Sequence, residues 1–227
     1  MPDTTNKTFS KNNSHKLIYL AIIAMMIAIE AIFCFTPLGS IPIGPLVATL
    51  AMLPVCMTGV MLGVRAGTVM GFVAGLFSFI VWTFMPPSFM AIAFTPFYKV
   101  ELGNVTFGGN WWSLVICFVP RILVGTLSGL VYKAIAGKTD KKALKITAAA
   151  LAGIAGSVIN TVGVLGGIAL FMHREFSEIY AMSEFGATTV AAVIGATILT
   201  NAIPEAVVSG IVTPAAVPIR GLIDKKL

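Results

Sequence analysis

Apolar positions in this chain form long unbroken runs, and polar positions are confined to the gaps between them. No Asp, Glu, Lys, Arg or His occurs in residues 31–64, 66–98 or 146–172. Each run exceeds the ~20 apolar residues that carry a helix across a bilayer. The pattern predicts six helices, over about 17–35, 46–64, 67–84, 111–134, 145–171 and 187–213. Helices are required because backbone groups in lipid must find partners within their own segment, and the runs are too long for barrel strands. The expected fold class is an all-α integral membrane protein. It has a polar, disordered tail over 1–16, one six-helix domain over 17–220 and a basic tail over 221–227. The first run holds Glu30 and ends in Cys34-Phe35-Thr36-Pro37 with no small-x-small cleavage site, so it reads as a span rather than a signal peptide.

Composition supports the membrane reading. The chain is 57% hydrophobic and 11% charged, whereas a soluble domain carries roughly 25% charged residues. The net charge of +6 does not point to nucleic acid, because the basic residues sit where membrane topology needs them. Lys7, Lys11, Lys16, Arg65, Lys133, Lys138, Lys141, Lys142, Lys145, Arg220, Lys225 and Lys226 fall on one side of the six-span arrangement. Lys99 and Arg174 fall on the other, as do Glu101, Glu175, Glu178 and Glu184. The positive-inside rule then places both termini in the cytoplasm. Cys34, Cys56 and Cys117 lie in apolar stretches and are odd in number, which argues for buried thiols rather than a disulfide framework.

Two loops on the outer side are unusual. Residues 35–45 read FTPLGSIPIGP, and residues 85–110 are long, mostly apolar and lead into Trp111 and Trp112. The tryptophans suit a membrane interface. Apolar loops of this kind are expected to fold down as a lid.

Glu30, Arg121 and Glu205 are ionisable residues inside spans. Each costs at least ~2–3 kcal/mol at the bilayer centre unless it is paired or wet. Arg121 and Glu205 each follow a proline, in Val119-Pro120-Arg121 and Ile203-Pro204-Glu205. Proline frees the carbonyl four residues back, so acceptors are exposed at the same level. Either these groups line a polar cavity, or Arg121 forms a buried ordering pair with Glu205 or Glu30. Asn160 and Asn201 are the other strong polar groups. They suit an uncharged polar ligand or an interhelical hydrogen bond. Ala24 and Ala28 form a small-xxx-small pair that admits a second helix closely.

No catalytic or nucleotide site is expected. Gly137-Lys138-Thr139 resembles the end of a phosphate loop, but Tyr132 stands where the earlier glycine belongs and no strand precedes it. The histidines, His15 and His173, lie outside the spans, and neither H-E-x-x-H nor G-x-S-x-G occurs. No cofactor or metal is expected.

Four segments carry a resemblance: LAIIAMMIAIEA, FTPLGSIPIGPLVATLAMLPV, GVMLGVRAGTVMGFVAGLFSFI and CFVPRILVGTLSGLVYKAI. Across most of 17–220 the chain resembles the substrate-capture subunits, or S components, of energy-coupling factor (ECF) vitamin transporters. The resemblance implies a six-helix protein of the bacterial plasma membrane. It implies docking on a membrane coupling subunit that carries two ATPases, and toppling in the bilayer to release a vitamin. It implies that Ala24 and Ala28 face the coupling subunit. It places Leu38, Ile41, Arg121, Asn160 and Asn201 at an outward pocket, with Glu205 as a further candidate. Asn160 and Asn201 match asparagines that contact ligand in riboflavin-binding relatives. The wording is most similar to pantothenate-specific members, and Arg121 is the membrane cation available to a carboxylate. Folate, cobalamin and riboflavin are the alternatives, the ring ligands calling on Trp82, Trp111 and Trp112. A proton-coupled secondary transporter using Glu30 or Glu205 is the competing class, although inverted repeats are not evident.

Overall fold

The computed structural model describes residues 4–43, 46–102, 105–137, 139–182, 195 and 198–226. α1 (Thr4–Phe35) begins within the polar segment expected to be disordered, and its apolar part is Lys16–Phe35. A short 3-10 turn, Pro37–Gly39, leads into an antiparallel hairpin of β1 (Ser40–Ile43) and β2 (Leu46–Thr49). There follow α2 (Leu53–Leu62) and α3 (Val64–Phe84). A 3-10 turn at Phe89–Ala93 and a second hairpin, β3 (Lys99–Leu102) with β4 (Val105–Gly108), fill the connection to α4 (Trp112–Ala136). The chain continues through α5 (Lys142–Phe171), α6 (His173–Met182), α7 (Ile203–Val212) and α8 (Ala216–Lys226).

Five helical segments are long and apolar enough to cross a membrane: Lys16–Phe35, Val64–Phe84, Trp112–Ala136, Lys142–Phe171 and Ile198–Asp224. The second expected span departs from the reading of residues 46–64 as one helix. Residues 46–49 are strand, and α2 has 10 residues, about 15 Å against a hydrocarbon core of ~30 Å. α2 is buried around its circumference, including Val55, Cys56, Thr58 and Val60. A helix apolar on every face belongs in a protein core, so its unbroken apolar run reflects burial by neighbours rather than lipid contact. Pro54 in its first turn starts it late. Gly63, at φ 89, ends it, in a backbone region where a side chain would be strained. The final span is segmented for a similar reason. Pro204, Pro214 and Pro218 each remove a backbone donor, and a wide π turn, Ile198–Ala202, precedes α7. The first part of that expected span, 187–194, lies outside the described residues.

α4 is the central helix and packs most extensively on α3 and α5. Lipid gives little hydrophobic drive for helix association, so close backbone approach carries the packing. A Cβ on Gly67 would overlap the Gly125 backbone carbonyl, and one on Gly71 would overlap that of Arg121. Thr68 and Thr126 share a hydrogen bond of 2.8 Å across the same seam. Two apolar clusters result. One joins Met26, Val55, Met70, Val124, Ala149 and Val217 near the α2–α3 joint. The other lies under the 85–110 connection and joins Ile92, Phe94, Ile116, Met172 and Phe176. That connection is packed down on the bundle: Ile92 and Ala93 are fully buried, and Ser113 Oγ donates to the Ile92 carbonyl at 2.6 Å.

Candidate functional site

The site begins with a missing N–H. Pro120 lies inside α4 and has no donor for the Ile116 carbonyl. Arg121 takes that place: its Nη1 donates to the Ile116 oxygen at 3.1 Å. The guanidinium carbon lies 4.8 Å from the centre of the Phe94 ring, within cation–π range. Phe94 in turn stacks on Trp82, with ring centres 4.8 Å apart. One bond and one ring therefore aim a buried cation from mid-helix towards the packed-down connection. Its Nε has no hydrogen-bond partner among the described residues.

Arg121 opens on a cavity of about 310 Å³, lined also by Asn160 of α5, Met52, Ser78, Trp82, Cys34 and Gly39. That volume lies at the lower end of the ~300–1,000 Å³ usual for small-molecule sites. Asn160 Oδ1 is buried with no hydrogen-bond partner among the described residues. Glu30 is fully buried. One of its oxygens accepts from the Cys34 thiol at 3.4 Å, and the other has no partner among the described residues. The charge of Arg121 acts on both Glu30 and Cys34, yet no ion pair joins Arg121 to Glu30. The ion pairs among the described residues are Lys145–Asp140, Arg174–Glu178 and Arg220–Asp224. A buried polar atom left unmatched costs about 1–3 kcal/mol. The cavity wall therefore carries a cationic donor, Arg121, and an unmatched acceptor, Asn160, a pairing suited to a small polar guest or to ordered water.

The structure brings Arg121 and Asn160 to this cavity and puts other candidates elsewhere. Asn201 sits in the π turn, half-buried, where its amide nitrogen donates to Thr200 Oγ1 at 3.0 Å. Glu205 is buried in the first turn of α7. Neither is among the described lining residues. Leu38 belongs to the 3-10 turn and Ile41 to β1; their side chains lie outside what is described, while Gly39 between them lines the cavity. Ala24 and Ala28 are both exposed on α1. Sequence reasoning missed Met52, Ser78 and Cys34. Only Cys34 carried a signal, being one helical turn from Glu30.

Comparison with known proteins agrees with this architecture. The family profile described as "ECF transporter, substrate-specific component" matches residues 19–217. The chain belongs to that family: it is an ECF transporter S component, a multi-pass membrane protein. It is 35% identical over 215 residues to the pantothenic acid transporter PanT of Lactococcus lactis subsp. cremoris (strain MG1363), covering 92% of this chain and 94% of that one. Its fold is similar to that of ThiT from Listeria monocytogenes, with a TM-score of 0.54 at 18% identity, over 92% of this chain and 97% of the other.

Proposed function

We propose that this S component captures pantothenate from outside the cell and hands it to ATP-driven partner subunits for import across the bacterial plasma membrane. The observation that carries this reading is the Arg121 guanidinium, buried without a carboxylate partner among the described residues, beside Asn160 in one cavity. Pantothenate has a carboxylate for the first, and hydroxyl and amide donors for the second. The similarity to a pantothenic acid transporter supports the same choice. Glu30 stands behind the site, holding the thiol of the lining Cys34. Leu38 and Ile41 close it from the loop, and Asn201 and Glu205 are further candidate contacts.

In this reading the bundle makes six crossings, the second through the short, protein-surrounded α2. Both termini face the cytoplasm, as the distribution of basic residues requires. The purified chain in liposomes, offered labelled pantothenate, riboflavin, folate and cobalamin, tests the proposal. Selective pantothenate binding without uptake supports it. Proton-driven uptake by the chain alone, or preference for another vitamin, overturns it.

The coupling subunit docks on α1. Leu17, Leu20, Ala21, Ala24, Met25, Ala28 and Ile32 form one exposed stripe at helical spacing, and alanines at its centre admit a partner helix closely. Ala24→Leu or Ala28→Leu is expected to leave pantothenate affinity unchanged while co-purification with the coupling subunit falls by about ten-fold or more. Undiminished co-purification would move the docking face elsewhere.

A further inference from the structure

A second cavity lies along α4 from the first, about 18 Å away by helix rise between Arg121 and Lys133. Its volume is about 440 Å³, and Lys133, Lys145, Arg220, Thr139, Asp140 and Asp224 are among its lining residues. Capture of a vitamin at Arg121 makes no use of it. We propose that this cavity holds the phosphate of an anionic phospholipid headgroup.

Three observations converge. The first is level: Lys133 stands in the last turn of α4 and Lys145 in the first turn of α5, so the cavity opens where two membrane-length helices end and lipid phosphates lie. The second is charge. Asp140 sits 3.6 Å from Lys145 and Asp224 3.7 Å from Arg220, while Lys133 has no ion pair among the described residues. One cation is therefore in excess within the lining, and Lys138, Lys141 and Lys142 add three more in the adjoining sequence. The third is backbone: α5 starts with no side-chain cap, so its first amides and the positive end of its dipole are available to an anion. Basic pockets between helix ends at the headgroup level are suited to anionic lipid. A soluble phosphate shares the chemistry, but lipid is present at that level at far higher local concentration.

The full chain in mild detergent, exposed to equimolar phosphatidylglycerol and phosphatidylcholine and read by native mass spectrometry, tests this. Phosphatidylglycerol is expected to be retained about ten-fold over phosphatidylcholine. A Lys133→Gln, Lys145→Gln double variant should bring the ratio close to one, and Lys133→Arg, Lys145→Arg should keep it. Both variants should bind vitamin as the parent does, so this proposal and the one for the Arg121 cavity fail independently. Equal retention of the two lipids, a preference that survives the glutamine variant, or displacement by millimolar inorganic phosphate would overturn the lipid assignment.

Discussion

Arg121 and Arg220 are handled alike up to a point, and they differ in whether the side chain's shell of partners is completed. Each donates to a backbone carbonyl, Arg121 to Ile116 at 3.1 Å and Arg220 to Val60 at 2.6 Å. Each lies over an aromatic ring, Phe94 at 4.8 Å and Tyr132 at 4.9 Å. Arg220 then completes its shell with Asp224 at 3.7 Å. It ties α8 to the end of α2, 160 residues away in sequence, just before the chain bends at Gly63. Arg121 stops short of completion: its Nε is buried at a cavity wall and unmatched among the described residues. A cation with its own carboxylate has little left for a guest, whereas one held by a neutral carbonyl and a ring keeps most of its charge for one.

Substitutions can break or sharpen this contrast. The largest effect is expected from Arg121→Gln: pantothenate affinity should fall by about 100-fold in a binding titration, the loss of a charge-assisted fork on a carboxylate. The thermal midpoint of the ligand-free protein should not fall, because an unpaired buried charge is removed with the fork. Next is Arg220→Gln, expected to lower stability by about 2 kcal/mol through loss of the charged hydrogen bond and ring contact. That change is read as a lower unfolding midpoint in detergent, with affinity unchanged. A drop in affinity for Arg220→Gln with no drop in stability would reverse the two assignments. The smallest effect is expected from Pro120→Ala. The restored N–H competes for the Ile116 carbonyl, so the guanidinium loses the bond that aims it, and affinity should fall about three-fold. An unchanged titration would mean that Phe94 alone orients Arg121.

Much of this was legible beforehand. The helices expected over 67–84, 111–134 and 145–171 differ from α3, α4 and α5 by at most three residues at either end. Pro120 marked the freed carbonyl, and the apolar 85–110 connection marked a packed-down cover. The second span was misjudged because a run of apolar residues has the same appearance whether lipid or protein surrounds it; α2 is surrounded by protein. Asn201 came to the candidate site through the resemblance and Glu205 as a buried carboxylate after Pro204; neither is among the described residues that line the Arg121 cavity, and sequence does not specify which face a residue presents after a π turn and a proline.

By itself, the order of residues determined that the chain is helical and membrane-embedded. Backbone groups in hydrocarbon must bond within their own segment, and charged side chains are held at the segment ends. Only the tertiary structure decided which buried polar groups are satisfied. Arg220 finds its carbonyl on a helix far away in sequence, and Arg121 meets a ring from a connecting turn. Satisfaction of a polar group depends on partners brought by other segments, and local sequence does not encode their distance.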